Sequence, residues 1–450
     1  MATIPSPITL TNSSAEVLNA IRNQASTNYQ EYIPIAQPNA ESIRAVGAIM
    51  MDYPNLQNEF VHALINRIAL VVVSSKMYQN PWNVFKRGIL EYGESIEEIF
   101  VDIAKVETFN PADAENTLYK RYIPNIRTAF HVLNYEKFYP VTISDAELRK
   151  AFLSVSGVTD LISRIVNSLY SAADYDEYLT MKYMLARKIL EGRIYPTAVS
   201  DASDSKIVVK GVKQVVNDMR FMSTKYNIAK VKNFSRPDEQ YILVDTHFDA
   251  SMDVDVLATA FNMDKVEFIG RRILIDGFGN FDNDRLAVLF ADDPNYVEID
   301  STAATALNAL PVMVLDRDFW MVYDNLVQFR EDYNGKGLYW NEFLHMWKTF
   351  SISPFANASI IVGGTPTVTA VAVSPATAGG SVGDTLSFTA AVTTTNFAPQ
   401  DVNWSVSNNK CSVDAAGNVS IGTGATGTCT VTATSAFDSS VAGTATITIS

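Results

Sequence analysis

The spacing of hydrophobic positions changes several times along the chain. Behind Ser13-x-x-Glu16, a capping box, Val17, Leu18 and Ile21 recur on one face and predict an amphipathic helix. Phe60, Leu64, Ile68 and Val71 repeat that spacing in a second stretch beginning near Asn55. Between Phe85 and Phe109 the pattern predicts strand, turn and strand around the polar tip Glu91-Tyr92-Gly93-Glu94. That hairpin is too long to bury itself within one molecule. Ser144-x-x-Glu147 is a second capping box, opening a short helix that Gly157 is expected to end. From Val158 to about Ile194 the helical period is unbroken, with Leu161, Ile165, Leu169, Met181, Met184, Leu185 and Ile189 in phase. At 1.5 Å per residue this is a rod of roughly 50 Å, several times the usual helix.

Past Tyr195-Pro196, shorter helical patterns (Ile207 to Tyr226 and Asp253 to Asn262) alternate with strands. The predicted strands are Tyr241 to Asp245, Arg272 to Asp276 and Pro311 to Leu315, then the aromatic Phe319 to Phe329 and Leu338 to Ile352. A compositional break follows at Gly363-Gly364-Thr365-Pro366. From Gly364 onward there are eighteen Thr, eleven Ser and one basic residue, Lys410. Short β-branched runs separated by Gly, Asn, Asp and Pro predict a sandwich of roughly 80 residues, with Trp404 as its core plug. The expected organisation is an α+β body over residues 1–363 and an all-β module over 364–450.

Composition narrows the function. The 450 residues exceed one compact core, and 47% hydrophobic with 19% charged residues is that of a folded chain. The formal charge is −14, which removes the electrostatic footprint of a protein that coats nucleic acid or anionic lipid. The longest apolar run, Ile68 to Val73, is far below the ~20 residues of a membrane helix. Met-Ala-Thr-Ile-Pro-Ser-Pro carries neither a basic nor an apolar leader segment, so no secretory signal is expected.

Candidate chemistry is sparse. Glu59/His62 and Glu342/His345 are two Glu-x-x-His pairs, half of a di-iron carboxylate signature. Glu342 and His345 lie in an aromatic, strand-like segment, where odd spacing sends them to opposite faces. On a strand, Asp245, His247 and Asp249 would share one face and could hold a divalent ion, although a solvated strand end accounts for the same residues. Asp282, Asp284, Asp292 and Asp293 lack a calcium ligand ladder and read as an exposed loop. Gly277-Phe278-Gly279 has no third glycine to make a dinucleotide turn. There is no Gly-x-Ser-x-Gly elbow and no phosphate-binding lysine loop. No catalytic, cofactor-binding or metal-binding residues are therefore assigned, and no cofactor is expected. Cys411 and Cys429, the only cysteines, are expected on neighbouring strands of the terminal module. A disulfide between them and two buried thiols are both open readings.

Several stretches, in order along the body, resemble the major capsid proteins of phi29-like short-tailed bacteriophages. They are Asn19-Ala-Ile-Arg-Asn23, Ile96-Glu-Glu-Ile99 with Asp102-Ile103, Asp253-Val-Asp-Val-Leu-Ala258 leading to Ala260-Phe-Asn-Met263, and Ile275-Asp-Gly-Phe278. Met321-Val-Tyr-Asp-Asn-Leu326, Gly337-Leu-Tyr-Trp-Asn341 and Phe355-Ala-Asn-Ala358 continue the series. The terminal module similarly resembles a bacterial Ig-like group 2 domain. The resemblance implies the HK97-like capsid fold: N-terminal arm, E-loop at Phe85 to Phe109, spine helix at Val158 to Ile194, and peripheral and axial domains. It makes Lys86, Arg87, Tyr92, Glu94, Glu97 and Glu98 candidates for intersubunit E-loop contacts. Residues Asn280 to about Leu310 are extra axial material without a place in that scheme.

The resemblance implies a structural protein of the virion, not an enzyme, that self-assembles through pentamers and hexamers into an icosahedral shell around double-stranded DNA. Its implied partners are itself, a scaffolding protein and a portal, with the host cytoplasm as the site of assembly. The Ig-like module would face outward, where shell strengthening and contact with a host surface are both open roles. The alternative from a binding class is a bacterial surface adhesin carrying an Ig-like module.

Overall fold

The computed structural model describes residues 14–53, 55–57, 59–60, 63, 78–91, 95–111, 118–153, 157–255 and 272–450. The described chain divides into two compact units. One comprises the chain to Ile96, His131–Tyr178 and Val322–Phe350; the other comprises Glu97–Phe130, Leu179–Met321 and Ser351–Ser450. Ser13, Leu64, Ile68, Val71, the hairpin tip Tyr92 to Glu94 and most of the predicted 253–262 helix lie outside the described residues.

In the first unit, helices α1 (Ser14–Gln24), α2 (Thr27–Tyr32) and α3 (Ala40–Asp52) contribute apolar faces to a shared core. Side-chain caps at Ser26 and Asn39 satisfy free backbone N–H groups at the starts of α2 and α3. Ser144 and Glu147 make the reciprocal capping box of α4 (Asp145–Ala151). This helix ends at Phe152, before Gly157, which instead opens the long helix α5 (Gly157–Leu190). The sheet runs in the order β1 (Lys86–Ile89), β9 (Trp320–Asn334), β10 (Tyr339–Ile352), β4 (Tyr135–Ser144). β10 and β4 are antiparallel, with Glu342 opposite Val141, and β10 alternates buried and half-buried residues. Its even positions Trp340, Leu344 and Met346 join the helices in the core. Each fully buried large apolar side chain there contributes about 1.5–3 kcal/mol.

The second unit holds a mixed sheet in the order β5 (Tyr195–Val199), β11 (Ala358–Gly363), β8 (Val312–Asp316), β6 (Gln240–Asp245), β7 (Arg272–Ile275). β8 and most of β11 are buried throughout, as their uninterrupted apolar sequences require. Helix α6 (Ser205–Asp218), capped by Asp204, packs Val208, Val212 and Val215 into the core. It stops eight residues short of the predicted Tyr226, because Met219 already caps its end. Helices α7 (Thr246–Asp255), α8 (Asn283–Leu289) and α9 (Ser301–Asn308) complete it, so the unplaced 280–310 stretch is two short capped helices and their links.

The terminal strands follow in the same unit. β12 (Thr367–Ser374) pairs with β15 (Thr389–Thr395). β13 (Thr377–Gly380), β20 (Ala442–Ile449), β19 (Gly427–Ser435) and β16 (Val402–Val406) form a four-stranded sheet in that order. β14 (Thr385–Ser387), β18 (Asn418–Ile421) and β17 (Cys411–Val413) form a three-stranded one. Their inward residues make one valine-rich core. Phe388, not Trp404, is the fully buried aromatic; Trp404 is only half-buried, lying against Gly417, where any Cβ would strike its ring and the Phe388 carbonyl.

Candidate functional site

The most unusual surface is a two-stranded ribbon. β2 (Ile96–Val101) pairs with β3 (Ile126–His131), and Asp102 N–H donates to Asn125 O at 2.9 Å, so the end of one strand lies beside the start of the other. This corrects the predicted hairpin. β1 pairs in parallel with β9, and the ribbon returns through β3 well beyond Phe109. Alternation along β2 decides what each face meets. Glu98 accepts from Ser353 Oγ at 2.7 Å and Phe100 stacks on Phe355, with ring centroids 5.3 Å apart. The opposite face carries Ile99 at 58% exposure. Further along, Val106 (96%), Phe109 (89%), Tyr119 (89%) and Ile123 (83%) are almost wholly in water. Large apolar side chains exposed together are the kind of surface that takes up a partner.

The six contact candidates separate sharply. Glu97 and Arg87 are exposed, and Glu98 is half-buried against its own unit. Tyr92 and Glu94 lie outside the described residues. Lys86 is taken up internally, where its Nζ lies 3.1 Å from Glu177 Oε2 and 2.8 Å from Asp324 Oδ2. Burial works to lower its pKa, but the two carboxylates outweigh it and the net shift is upward. Lys348 Nζ binds Glu177 and reaches Asp324 at 3.2 Å, and Asn80 Nδ2 donates to Glu177 Oε1 at 2.7 Å. This network joins β1, β9, β10 and α5. Burial alone would raise the Asp324 carboxyl, yet Lys348 and Lys86 hold it below the usual range. Asp174 is shifted upward by burial and by the like charge of Glu177. A lysine within the aromatic run Trp347 to Phe350 was the sequence signal for this network.

Among the described residues the candidate metal ligands are not brought together. β6 ends at Asp245, whose carboxylate caps α7 by accepting from His247 N at 2.9 Å and Phe248 N at 3.1 Å. His247 is exposed, and Asp249 Oδ1 pairs with Arg272 at 2.7 Å, so the three residues do not converge. Asp282 caps α8, which explains one of the clustered aspartates. Glu342 is fully buried, while His345 is half-buried on the other face beside Phe138, as odd spacing on a strand requires. His62 lies outside the described residues. Among the described residues no three His, Cys, Asp or Glu side chains could jointly hold a metal, and no helix is long and apolar enough to cross a membrane.

Two buried features escaped sequence reasoning. Neither carboxylate oxygen of Glu342 has a hydrogen-bond partner among the described residues, and its pKa is pushed up to about 8 by burial and by the neighbouring charge of Glu331. Asn357 is a hub: its N–H donates to Asp316 Oδ2 at 2.9 Å and its Nδ2 donates to Ser235 Oγ at 2.8 Å. Burial raises Asp316 to about 6, while hydrogen bonds from the Ser235 side chain and the Asn357 backbone N–H pull the other way. In the terminal module, Cys411 on β17 and Cys429 on β19 belong to different sheets and meet across its core as buried, unbridged thiols. Burial and the Cys429 sulfur push the Cys411 thiol up to about 11.

Residues 18–362 match the family model of the phi29-like phage major capsid protein. The chain belongs to that family. The major capsid protein of Bacillus phage B103 is 37% identical over 401 residues, spanning 87% of this chain and 83% of the relative. That of Bacillus phage GA-1 is 35% identical over 413 residues, 88% of this chain and 80% of the relative. A chain in the capsid structure of Staphylococcus phage Andhra has a TM-score of 0.50 at 15% identity, over 65% of this chain and 86% of that one, which shows a shared capsid fold. This major capsid protein is therefore structural and not an enzyme; it assembles with copies of itself into a capsid shell and resides in the virion. The adhesin alternative falls with that assignment.

Proposed function

We propose that the protein builds an icosahedral shell of pentamers and hexamers around double-stranded DNA, through an HK97-like body of residues 1–363. In this reading the β2–β3 ribbon is the E-loop and lies over a neighbouring copy, α5 is the spine helix, and the β5–β11–β8–β6–β7 sheet belongs to the axial domain. The single observation that carries it is the exposure of Ile99 on β2 and of Val106, Phe109, Tyr119 and Ile123 in the segment that joins β2 to β3. Such side chains are removed from water when copies overlap, each contributing about 1.5–3 kcal/mol when fully buried. Glu97, exposed on β2 on the same face as Ile99, supplies charge pairing that fixes register more than it adds affinity, and Arg87 is exposed on β1.

Residues 364–450 act as an Ig-like module on the outer surface, strengthening the shell or touching a host surface. Its two thiols close to a Cys411–Cys429 bridge once the particle has left the reducing host cytoplasm in which it assembles, with dissolved dioxygen or an external disulfide accepting the two electrons and two protons that the thiols give up. Assembly draws on a scaffolding protein and a portal, and the enclosed DNA is held without sequence-specific contacts. Negative-stain microscopy and sedimentation of the chain, co-expressed with a scaffolding protein, test the reading. Closed shells tens of nanometres across are expected; a stable monomer in the partner's presence overturns it. A loss of 2 Da in the intact mass of released particles, reversed by reductant, tests the bridge.

A further inference from the structure

The terminal module meets the C-terminal end of α5 through a small, chemically specific interface. α5 ends at Leu190, and Gly192 follows in the left-handed region at φ +63°. The last carbonyls of any helix lack intrahelical donors. Here Gln400 Nε2, from the module, donates to Leu190 O at 3.0 Å and supplies one. Next to it, Asp401 pairs with Arg193 and lies 3.7 Å from Lys230 Nζ. A Cβ on Gly192 would come within 2.8 Å of Ala398 O and 3.0 Å of Gln400, so the absence of a side chain at 192 permits the close approach. Ala398 is fully buried, and Asp401 O accepts from Ala436 N at 2.9 Å, which ties the docking loop to the rest of the module. At the junction Gly364 N–H donates to Val199 O at 2.8 Å, continuing the β5–β11 pairing past the end of β11.

We propose that residues 398–401 form a docking loop for the end of α5, and that the module is a fixed brace on the body and not an ornament swinging on Gly363-Gly364. The partner surface is the Leu190 carbonyl, the bare backbone of Gly192 and the cations Arg193 and Lys230. Chain continuity alone would allow the module many orientations; a helix cap, an ion pair and a glycine contact select one. The brace belongs to the single chain, so it stands or falls independently of shell formation.

The test is a distance measurement by pulsed electron paramagnetic resonance on the unassembled full chain. Nitroxide amino acids replace the exposed Lys210 on α6 and the exposed Ser440 near the start of β20. One narrow distance population is expected in the otherwise unaltered chain. Gln400→Ala with Asp401→Lys should broaden it at least twofold, and adding Arg193→Asp to Asp401→Lys should narrow it again. Gly192→Asn tolerates the left-handed backbone yet inserts a side chain into the interface, and it leaves the module's own sequence intact, so it should broaden the population too. A broad population in the unaltered chain, or a narrow one that none of these substitutions disturbs, overturns the proposal.

Discussion

Glu342 occupies a core position of β10 with neighbours such as Trp340 and Leu344, where an apolar residue would serve the packing better. Burial, and then Glu331, raise its folded-state pKa to about 8, against an ordinary value of 4.5. The folded carboxyl thus keeps its proton to higher pH than the unfolded one. The stability it allows is fully present below about 4.5 and is lost as pH rises through about 8. A tenfold difference in proton affinity between the folded and unfolded chains corresponds to about 1.4 kcal/mol, so roughly 2–4 kcal/mol should disappear between pH 5 and pH 8. Urea denaturation of the unassembled chain across that range should show the decline, and Glu342→Gln should flatten most of it. Glu177 is the opposite case, a buried carboxylate holding Lys86, Lys348 and Asn80 together. Removing one member of such a group leaves an uncompensated charge, at a cost of about 3–5 kcal/mol. Glu177→Gln should lower the urea midpoint accordingly, with little change in slope. The sequence displayed neither residue's role, since burial of a charge depends on which strands become neighbours.

At the scale of elements, legibility followed period and length. The long helix was readable almost to its ends, because thirty-four residues in phase leave little room for another structure. Strand existence was equally plain in β9, β10 and most of the terminal runs. Pairing was not. In the sequence the polar stretch Glu91-Tyr92-Gly93-Glu94 separates β1 from β2, which reads as a hairpin, yet their hydrogen bonds go to β9 and β3. Local patterning reports neither partner, since β9 lies more than two hundred residues away and β3 begins twenty-five residues after β2 ends. The strand reading of Asp245, His247 and Asp249 failed for a related reason: Asp245 is a helix cap, and a cap turns the period from two to 3.6 at that residue. In the proposed role of the ribbon, its outer face carries the contact with a neighbouring copy. Ile99→Asp with Val101→Asp should leave the secondary structure and thermal transition of the unassembled chain within about 0.5 kcal/mol of the original, as exposed positions usually do. The same variant should fail to form shells by sedimentation under conditions where the unaltered chain closes them. Shells of normal yield from that variant would remove the ribbon from the assembly interface.

For the whole molecule, the −14 charge that first argued against nucleic-acid binding takes on a second meaning once the family is known. A capsid wall must enclose a densely packed polyanion that has to leave again. Proteins that grip DNA neutralise phosphates with Lys and Arg, and their binding falls steeply as salt releases the advantage of counterion displacement. The buried ion network withdraws Lys86 and Lys348 from any such role, while Lys182 is buried against Asp276, with 2.6 Å between Nζ and Oδ1. Burial lowers the pKa of Lys182 despite that partner, and its Nζ is turned inward onto Asp276. These three lysines are thus absorbed by structure, other basic residues such as Arg121 and Lys210 are exposed, and the chain as a whole keeps its acidic excess. Emptied and fragmented shells should therefore retain almost no linear double-stranded DNA on a filter at 50 mM salt. What is retained should change little up to 200 mM, whereas six to ten phosphate contacts would produce a loss of about 10³–10⁵ over that range. A steep salt dependence would mean that the wall presents a basic inner surface, and release of the genome would then have to overcome adhesion as well as confinement.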